Sequence, residues 1–126
     1  MQFSSQRLVD VFVAVPVGQL DHPNAQKLQL VLAPVLEAAT LAKCSLVFDF
    51  AGVEYISSVG LRVLLMAAKQ VRAQNARIAV AALQPVVKEI FDIARFNHVL
   101  EVFPTVHAAL EQLSAPALAA YDAAAK

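Results

Sequence analysis

The stretch "SLVFDFAGVEYISSVGLRVLL", residues 45–65, decides the fold. Its first six residues form an apolar run with one acid, Asp49, which is typical of a central strand covered on both faces. After the paired serines Ser57 and Ser58, apolar residues recur at helical spacing. A buried strand that leads through a short turn into an amphipathic helix predicts an α/β fold, with Asp49 at the end of the strand near the serine turn.

Strands and helices alternate on both sides of this stretch. Runs rich in Val and Ile predict further strands over 2–8, 10–17, 77–82 and 99–103, and helical spacing predicts helices over 24–40, 85–96 and from Pro104 onward. Pro34 lies inside the first helix and predicts a kink or a new segment there. The alternation predicts a mixed sheet of four or five strands, with about four helices packed mainly on one face.

The composition excludes several classes of protein. A chain of 126 residues has the length of one domain, and its ten basic residues are balanced by ten acidic ones, which leaves no basic surface for nucleic acid. Every apolar run is broken well before the roughly 20 residues of a membrane span, and the start lacks the pattern of a signal sequence. We therefore expect a cytoplasmic location. The single cysteine, Cys44, is expected at the core edge, and three scattered histidines predict no metal site.

Three roles are open for the two serines. Either could cap the following helix, because serine oxygens accept hydrogen bonds from free N–H groups. Catalysis by Ser58 is disfavoured, because the nucleophile-elbow pattern needs a glycine where Ile56 stands and no histidine is placed as a base. Modification is the third role, since a helix N-terminus favours added phosphate. Gly60, which costs roughly 1 kcal/mol relative to alanine inside a helix, predicts a close backbone approach.

The helix after the serines is predicted to have two distinct faces. At about 100° per residue, one side faces the sheet and carries Leu61, Leu64, Leu65, Ala68 and Val71. The other side is partly apolar and points outward, with Val59, Arg62, Val63, Met66, Lys69 and Gln70. A phosphate on Ser58 would add about −1.5 to −2 charge beside this surface. Binding could therefore be switched while the fold is kept.

Three ordered motifs resemble one known family. The stretch "LVFDFAGVEYISSVGLRVLL" resembles the signature of STAS domains, specifically of the bacterial anti-sigma factor antagonists. The segment "VGQLDHPNAQKL" is similar to the family's Gly-x-Leu-Asp region, and "LQPVVKEIFDIARFNHVLEVFPTVHAALEQL" is similar to its C-terminal half. The resemblance covers about 11–113 of a single STAS domain spanning 1–126, and the Ala-rich tail 114–126 follows it.

The resemblance implies a partner-switching regulator of transcription and not an enzyme. In this family the unphosphorylated antagonist binds an anti-sigma factor that is also a serine kinase. Phosphorylation releases the antagonist, and a PP2C-type phosphatase resets it. ATP and Mg²⁺ then belong to the kinase, and this chain needs no cofactor and no membrane insertion.

Carried onto this chain, the phosphoacceptor falls on Ser58. Many phosphorylated members have aspartate immediately before the acceptor. This chain departs from that pattern with Ser57, which lacks the charge and is a secondary acceptor candidate. The docking surface is expected around this acceptor, with Asp21 and Asp49 bordering it, and includes Ser57, Ser58, Val59, Gly60, Arg62, Val63 and Met66.

A second reading of the same resemblance needs no phosphorylation. Small STAS proteins also serve as fixed subunits of larger complexes, such as a lipid-transport ATPase assembly or a signalling scaffold. The serine turn would then be an interface and a helix cap. A kinase and a phosphatase that act on this chain would separate the two readings.

Overall fold

The computed structural model describes residues 1–124. They form six strands, five α-helices and one short 3₁₀-helix, Phe96–His98. The strands are β1 (Gln2–Leu8), β2 (Val11–Leu20), β3 (Ser45–Asp49), β4 (Val53–Ile56), β5 (Ile78–Ala81) and β6 (Glu101–Phe103). The helices are α1 (His22–Ala42), α2 (Ser58–Arg72), α3 (Pro85–Ile93), α4 (Val106–Leu113) and α5 (Ala115–Ala124).

The sheet is mixed, with the order β1-β2-β3-β5-β6. Only β1 runs antiparallel to its neighbour, and the remaining pairs are parallel. The mixed α/β fold is as predicted, with one strand more than the predicted four or five. The addition is β4, whose four residues fall inside the short turn expected before the helix and are ordered as a strand by pairing with β2.

Strands β3 and β4 lie one after the other along the same edge of β2. Phe48 is opposite Ala14, and Ile56 is opposite Leu20. Between the two strands the chain makes a tight turn at 50–52, in which the amide of Val53 donates to the carbonyl of Phe50 at 2.9 Å. As a result β2 and β4 end side by side, and the helices that follow them start from the same end of the sheet.

Alternate strand residues belong to two hydrophobic cores, one on each face of the sheet. Leu46 and Phe48 pack with α1, α2 and α3, whereas Val47 packs with α4 and α5. Three of the five helices described therefore cover one face and two cover the other. The tail expected to extend the last helix or fray forms α5 as far as Ala124, a separate helix that begins after Ser114.

Helix α1 continues through Pro34. The expected new segment at this proline does not form, because the buried residues on both sides of it, Leu28, Leu32, Val35 and Ala39, keep packing on the sheet. Pro34 itself is exposed, so water can reach the carbonyl that its missing N–H leaves unpaired. Tertiary packing here outweighs the local cost of the proline.

One further expectation about a single residue can be compared with the fold. Cys44 is buried directly before β3, as predicted. Directly before the neighbouring strand β5, Arg77 donates to both carboxylate oxygens of Glu101 and to the carbonyl of Gln112. The hydrogen bonds to Glu101 raise the pKa of the Arg77 guanidinium. This group joins the start of β5 to β6 and α4.

Within residues 1–124, no helix is long and apolar enough to cross a membrane.

Candidate functional site

The N-termini of α1 and α2 lie next to each other at the end of β2 and β4. Because Leu20 and Ile56 are register partners, the residues after them, Asp21 and Ser57, start on neighbouring strands about 5 Å apart. Each is the N-cap of its helix. The carboxylate of Asp21 accepts from the amide of Asn24 at 3.2 Å, and the hydroxyl of Ser57 accepts from the amide of Gly60 at 3.2 Å. The site therefore combines two helix N-termini.

The hydroxyl of Ser57 forms two hydrogen bonds inside the chain. Besides capping α2, it donates its proton to the carbonyl of Leu20 at 3.1 Å. The amide of Ser57 donates to the same carbonyl at 2.9 Å. The capping role predicted for one of the two serines is confirmed for Ser57. Its half-buried oxygen is already engaged as donor and acceptor, which makes it a poor position for accepting a phosphoryl group.

Ser58 is in the opposite situation. It is the first residue of α2 and its side chain is exposed. Its hydroxyl forms no hydrogen bond within residues 1–124. In the first turn of α2 the amide of Gly60 is capped by Ser57, and the amide of Leu61 donates to the carbonyl of Ser57 at 2.9 Å. The amides of Ser58 and Val59 remain without a partner in the described part of the chain, at the positive end of the helix.

Gly60 is explained by close packing against the end of β2. A Cβ at this position would lie 2.8 Å from the carbonyl oxygen of Leu20 and 2.8 Å from Cγ1 of Ile56. The predicted close approach is confirmed, and the group that approaches is a carbonyl of this chain. The sequence analysis did not identify the contribution of Leu20 to this turn. Leu20 acts through its backbone carbonyl, which leaves no side-chain signal in the sequence.

The outward surface of α2 differs from the prediction in one important residue. Arg62 is exposed, Met66 is 51% exposed and Val59 is half-buried, but Val63 is only 6% exposed. Gly60 is also buried. The prediction that Val63 points outward is wrong, and Gly60, which was expected in the docking surface, is not directly exposed.

The reason is that α2 packs against α1 as well as against the sheet. The buried arc of α2 is therefore turned toward Val63, while Leu61 and Leu65, expected on the sheet face, are only half-buried. Between α1 and α2 runs a groove of about 250 Å³, lined by Gln29, Leu32, Ala33, Leu36, Val63, Met66, Ala67 and Gln70.

Asp49 is placed away from the serine turn. It ends β3 level with Val15, whereas Ile56 is level with Leu20, five residues further along β2. At about 3.3 Å per residue this separation is roughly 16 Å. The carboxylate of Asp49 accepts from the amide of Ala51 at 3.1 Å and stabilises the turn between β3 and β4. The expectation that Asp49 borders Ser58 is wrong, because β4 extends the chain beyond the end of β3.

Ser58 has no histidine partner within residues 1–124. None of the histidines forms a hydrogen bond to its hydroxyl, which is the contact that activates a catalytic serine. His107 lies on α4, where it contacts Glu111 at 3.2 Å and Asp122 at 3.6 Å. No group of three histidine, cysteine, aspartate or glutamate side chains in this part of the chain is arranged to hold a metal ion. What the site offers is an exposed hydroxyl on a rigid turn beside a partly apolar helix face.

Comparison with known proteins finds the same fold and the same sequence pattern. The family model described as STAS domain matches residues 3–109. BtrV of Bordetella bronchiseptica, named provisionally as an anti-sigma factor antagonist, is 31% identical over 107 residues, which are 85% of this chain and 87% of BtrV.

Two solved proteins share the fold at lower identity. A protein of Thermotoga maritima, also named provisionally as an anti-sigma factor antagonist, has a TM-score of 0.79 and 19% identity, over 88% of this chain and 93% of the other. The unphosphorylated form of the anti-sigma factor antagonist SpoIIAA has a TM-score of 0.72 and 17% identity, over 88% of this chain and 95% of the other. The phosphorylated form of SpoIIAA, from Bacillus, has a TM-score of 0.64 and 15% identity, over 88% and 98%.

Proposed function

The chain belongs to the STAS domain family, and from that premise we propose that it is an anti-sigma factor antagonist controlled by phosphorylation of Ser58. Unphosphorylated, it binds an anti-sigma factor that is also a serine kinase. Phosphorylated, it is released, and a PP2C-type phosphatase returns it to the binding form. The observation that carries the proposal is the different environment of the two serines. The hydroxyl of Ser57 is hydrogen-bonded to Leu20 and Gly60, whereas Ser58 is exposed.

The position of Ser58 suits a modification that leaves the fold intact. A phosphate on the first helical residue lies beside the unpaired amides of Ser58 and Val59 and at the positive end of the helix. The cap is unaffected, because it is formed by Ser57. The core is unaffected, because the side chain of Ser58 points to solvent. Phosphorylation therefore changes the surface charge of this turn without a structural cost.

The replacement of the more usual aspartate by Ser57 is compatible with this role. Serine and aspartate are both good N-caps. Serine has in addition a proton to donate, and here it goes to the carbonyl of Leu20, a bond that an aspartate cannot make. We therefore infer that Ser57 positions the acceptor turn, and that Ser58 alone accepts phosphate.

The docking surface surrounds the acceptor. We propose that the partner contacts Asp21, Val59, Arg62 and Met66, with Val63 forming part of the groove floor behind Met66. An added charge of about −1.5 to −2 beside this partly apolar surface opposes a partner that buries it. The names of BtrV and SpoIIAA support the class of partner, and the phosphorylated form of SpoIIAA supports the kind of modification.

The first experiment locates the phosphate. The protein is purified from its own host, its intact mass is measured, and the peptide that contains Ser57 and Ser58 is fragmented. We expect one phosphate, on Ser58, removable by a PP2C phosphatase. The matched variants are Ser57→Ala and Ser58→Ala: the first keeps the acceptor, and the second loses all phosphate. Phosphate on Ser57, or an unchanged phosphate content in Ser58→Ala, contradicts the assignment.

The second experiment tests the docking surface. Immobilised protein is used to capture partners from host lysate, and the captured proteins are identified by mass. We expect wild type to retain an anti-sigma factor with a kinase domain, and Ser58→Glu and Met66→Glu to lose it. The matched control is Ala119→Glu, which adds the same charge at an exposed position of α5, on the other face of the sheet. This variant should still retain the anti-sigma factor. Stable capture of an ATPase or scaffold by wild type and Ser58→Glu alike, with no phosphate in the host protein, would favour the fixed-subunit reading.

A further inference from the structure

Arg62 is placed to meet a phosphate on Ser58. Both residues lie on the continuous helix α2, four positions apart, so they are neighbours on one face with Cβ atoms about 5–6 Å from each other. Both side chains are exposed. Within residues 1–124, the guanidinium of Arg62 forms no hydrogen bond and no ion pair. It is a cation with its donors available, one turn from the proposed acceptor.

The order of the two residues favours the pair. An anionic side chain four residues before a cationic one is the better orientation on a helix, because the anion is then nearer the positive end of the helix. A phosphate also accepts two parallel hydrogen bonds from one guanidinium, which strengthens the contact beyond that of a carboxylate. Nothing in the backbone needs to move for the pair to form.

The acidic residue at the neighbouring helix N-terminus is directed elsewhere. Asp21, at the neighbouring helix N-terminus, has its carboxylate hydrogen-bonded to the amide of Asn24 at the start of α1. It repels a phosphate on Ser58 but does not occupy Arg62. His22, the first residue of α1, is exposed at the same end of the molecule and is the other ionisable group to be controlled for.

We propose that Arg62 becomes the intrachain partner of the phosphate on Ser58. This inference rests on the function proposed above and adds a second effect to the switch. Phosphorylation adds negative charge to the docking surface and at the same time withdraws Arg62, a cation that the unphosphorylated form presents to its partner. The charge of the surface thus changes at two positions from a single modification.

The test measures the phosphate directly. Phosphoserine is placed at position 58 during translation by codon reassignment, and its second pKa is determined by phosphorus NMR in wild type and in Arg62→Gln. An adjacent cation favours the doubly charged phosphate, so removal of Arg62 is expected to raise this pKa by about 0.3 unit. The difference should shrink in about 0.5 M NaCl, because the pair is exposed and screened.

Two controls make the result specific. Lys69 lies eleven residues after Ser58 on the same helix, about 16 Å along its axis and beyond a Debye length, so Lys69→Gln should leave the phosphate pKa unchanged. Because an imidazole titrates in the same pH range, the comparison is repeated in His22→Gln. Equal phosphate pKa values in wild type and Arg62→Gln, or equal shifts in Arg62→Gln and Lys69→Gln, overturn the proposal.

Failure of this inference is distinguishable from failure of the proposed function. The phosphoserine is installed without a kinase, so the Arg62 pair is measured whether or not the host phosphorylates the chain. Absence of phosphate in the host protein overturns the function, and an unshifted pKa overturns only the pair.

Discussion

At the scale of single residues, the carbonyl of Leu20 organises the serine turn. It accepts from the amide and the hydroxyl of Ser57, and it lies where a side chain at Gly60 would have to be. This one backbone oxygen thus holds the cap of α2 and sets the direction in which Ser58 leaves the sheet. It is also the reason that glycine is required three residues after the cap. The two serines differ in role because of which of them reaches this oxygen.

Gly60→Ala tests this arrangement. Alanine improves helix propensity by about 1 kcal/mol, but its Cβ would press on the Leu20 carbonyl, which belongs to a paired strand and cannot move away. We expect a net loss of about 2 kcal/mol in the free energy of unfolding, measured by urea titration with circular dichroism.

The matched control is Gly52→Ala, whose Cβ would meet the side chain of Val17 at 3.0 Å. The side chain of Val17 is exposed and can shift by a few tenths of an ångström toward solvent, so this variant should lose less than about 1 kcal/mol. Equal losses in the two variants would show that the Leu20 carbonyl is not what requires Gly60.

The local pattern predicts part of this site but not all of it. Serine before a helix and glycine in its first turn are visible in the sequence and correctly predict a cap and a close approach. Which serine caps depends on Leu20, 37 residues earlier, and that contact exists only after β2 and β4 pair. Asp49 was misplaced for the same reason, since the separation between β3 and the turn is set by β4.

At the scale of elements, α1 contains two prolines in different situations. Pro23 is in the first helical turn, where a missing N–H costs little, and Pro34 is in the interior, where it removes a backbone hydrogen bond. The helix persists because its buried stripe packs against the sheet and against α2.

We therefore expect Pro34→Ala to stabilise the protein by about 1–2 kcal/mol. The gain in stability comes from the restored backbone hydrogen bond and from the higher helix propensity of alanine. It is partly offset because the unfolded chain has more conformational freedom without the proline. Thermal unfolding followed by circular dichroism measures it. Pro23→Ala, in the same helix, should change stability by less than about 0.5 kcal/mol. A loss of stability in Pro34→Ala would mean that the packing of α1 depends on the proline.

Most elements lie close to their predicted positions, including the short strands β5 and β6, and the strand that was not predicted is β4. Strands β1 and β2 and helices α1 and α2 appear close to their predicted positions, because each has at least seven residues to show its period. The face of α2 was misjudged at Val63, because a pattern of apolar residues does not say whether they meet the sheet or another helix.

At the scale of the whole molecule, α5 completes the second core. It lies beyond residue 109, where the match to the STAS domain model ends. Ser114 begins it by accepting from the amide of Ala117 at 3.2 Å, and donates to the carboxylate of Asp10 at 2.5 Å. Ala117 is fully buried in the core that also contains Leu8 and residues of β2. The C-terminal helix is thus tied to the turn between the first two strands.

Ala117→Asp tests whether α5 is a packed part of the fold. It places a carboxylate at a fully buried position in an apolar core, so we expect a loss of at least about 2 kcal/mol, or detachment of α5. Ala119→Asp, an exposed position on the same helix, should cost only the propensity difference of about 0.6 kcal/mol. Urea titration of both variants gives the comparison. Equal effects would mean that α5 does not pack on the sheet in solution.

Ser57 forms two hydrogen bonds to the carbonyl of Leu20, and together they fix the shape of the serine turn. A turn held at its amide and at its hydroxyl by a strand of the central sheet is already in its final shape before any encounter. A protein that binds it does not have to order a loop, and this chain loses little conformational entropy on association. Affinity at the proposed docking surface is therefore expected to depend on how well the partner's shape and charge match this preorganised turn.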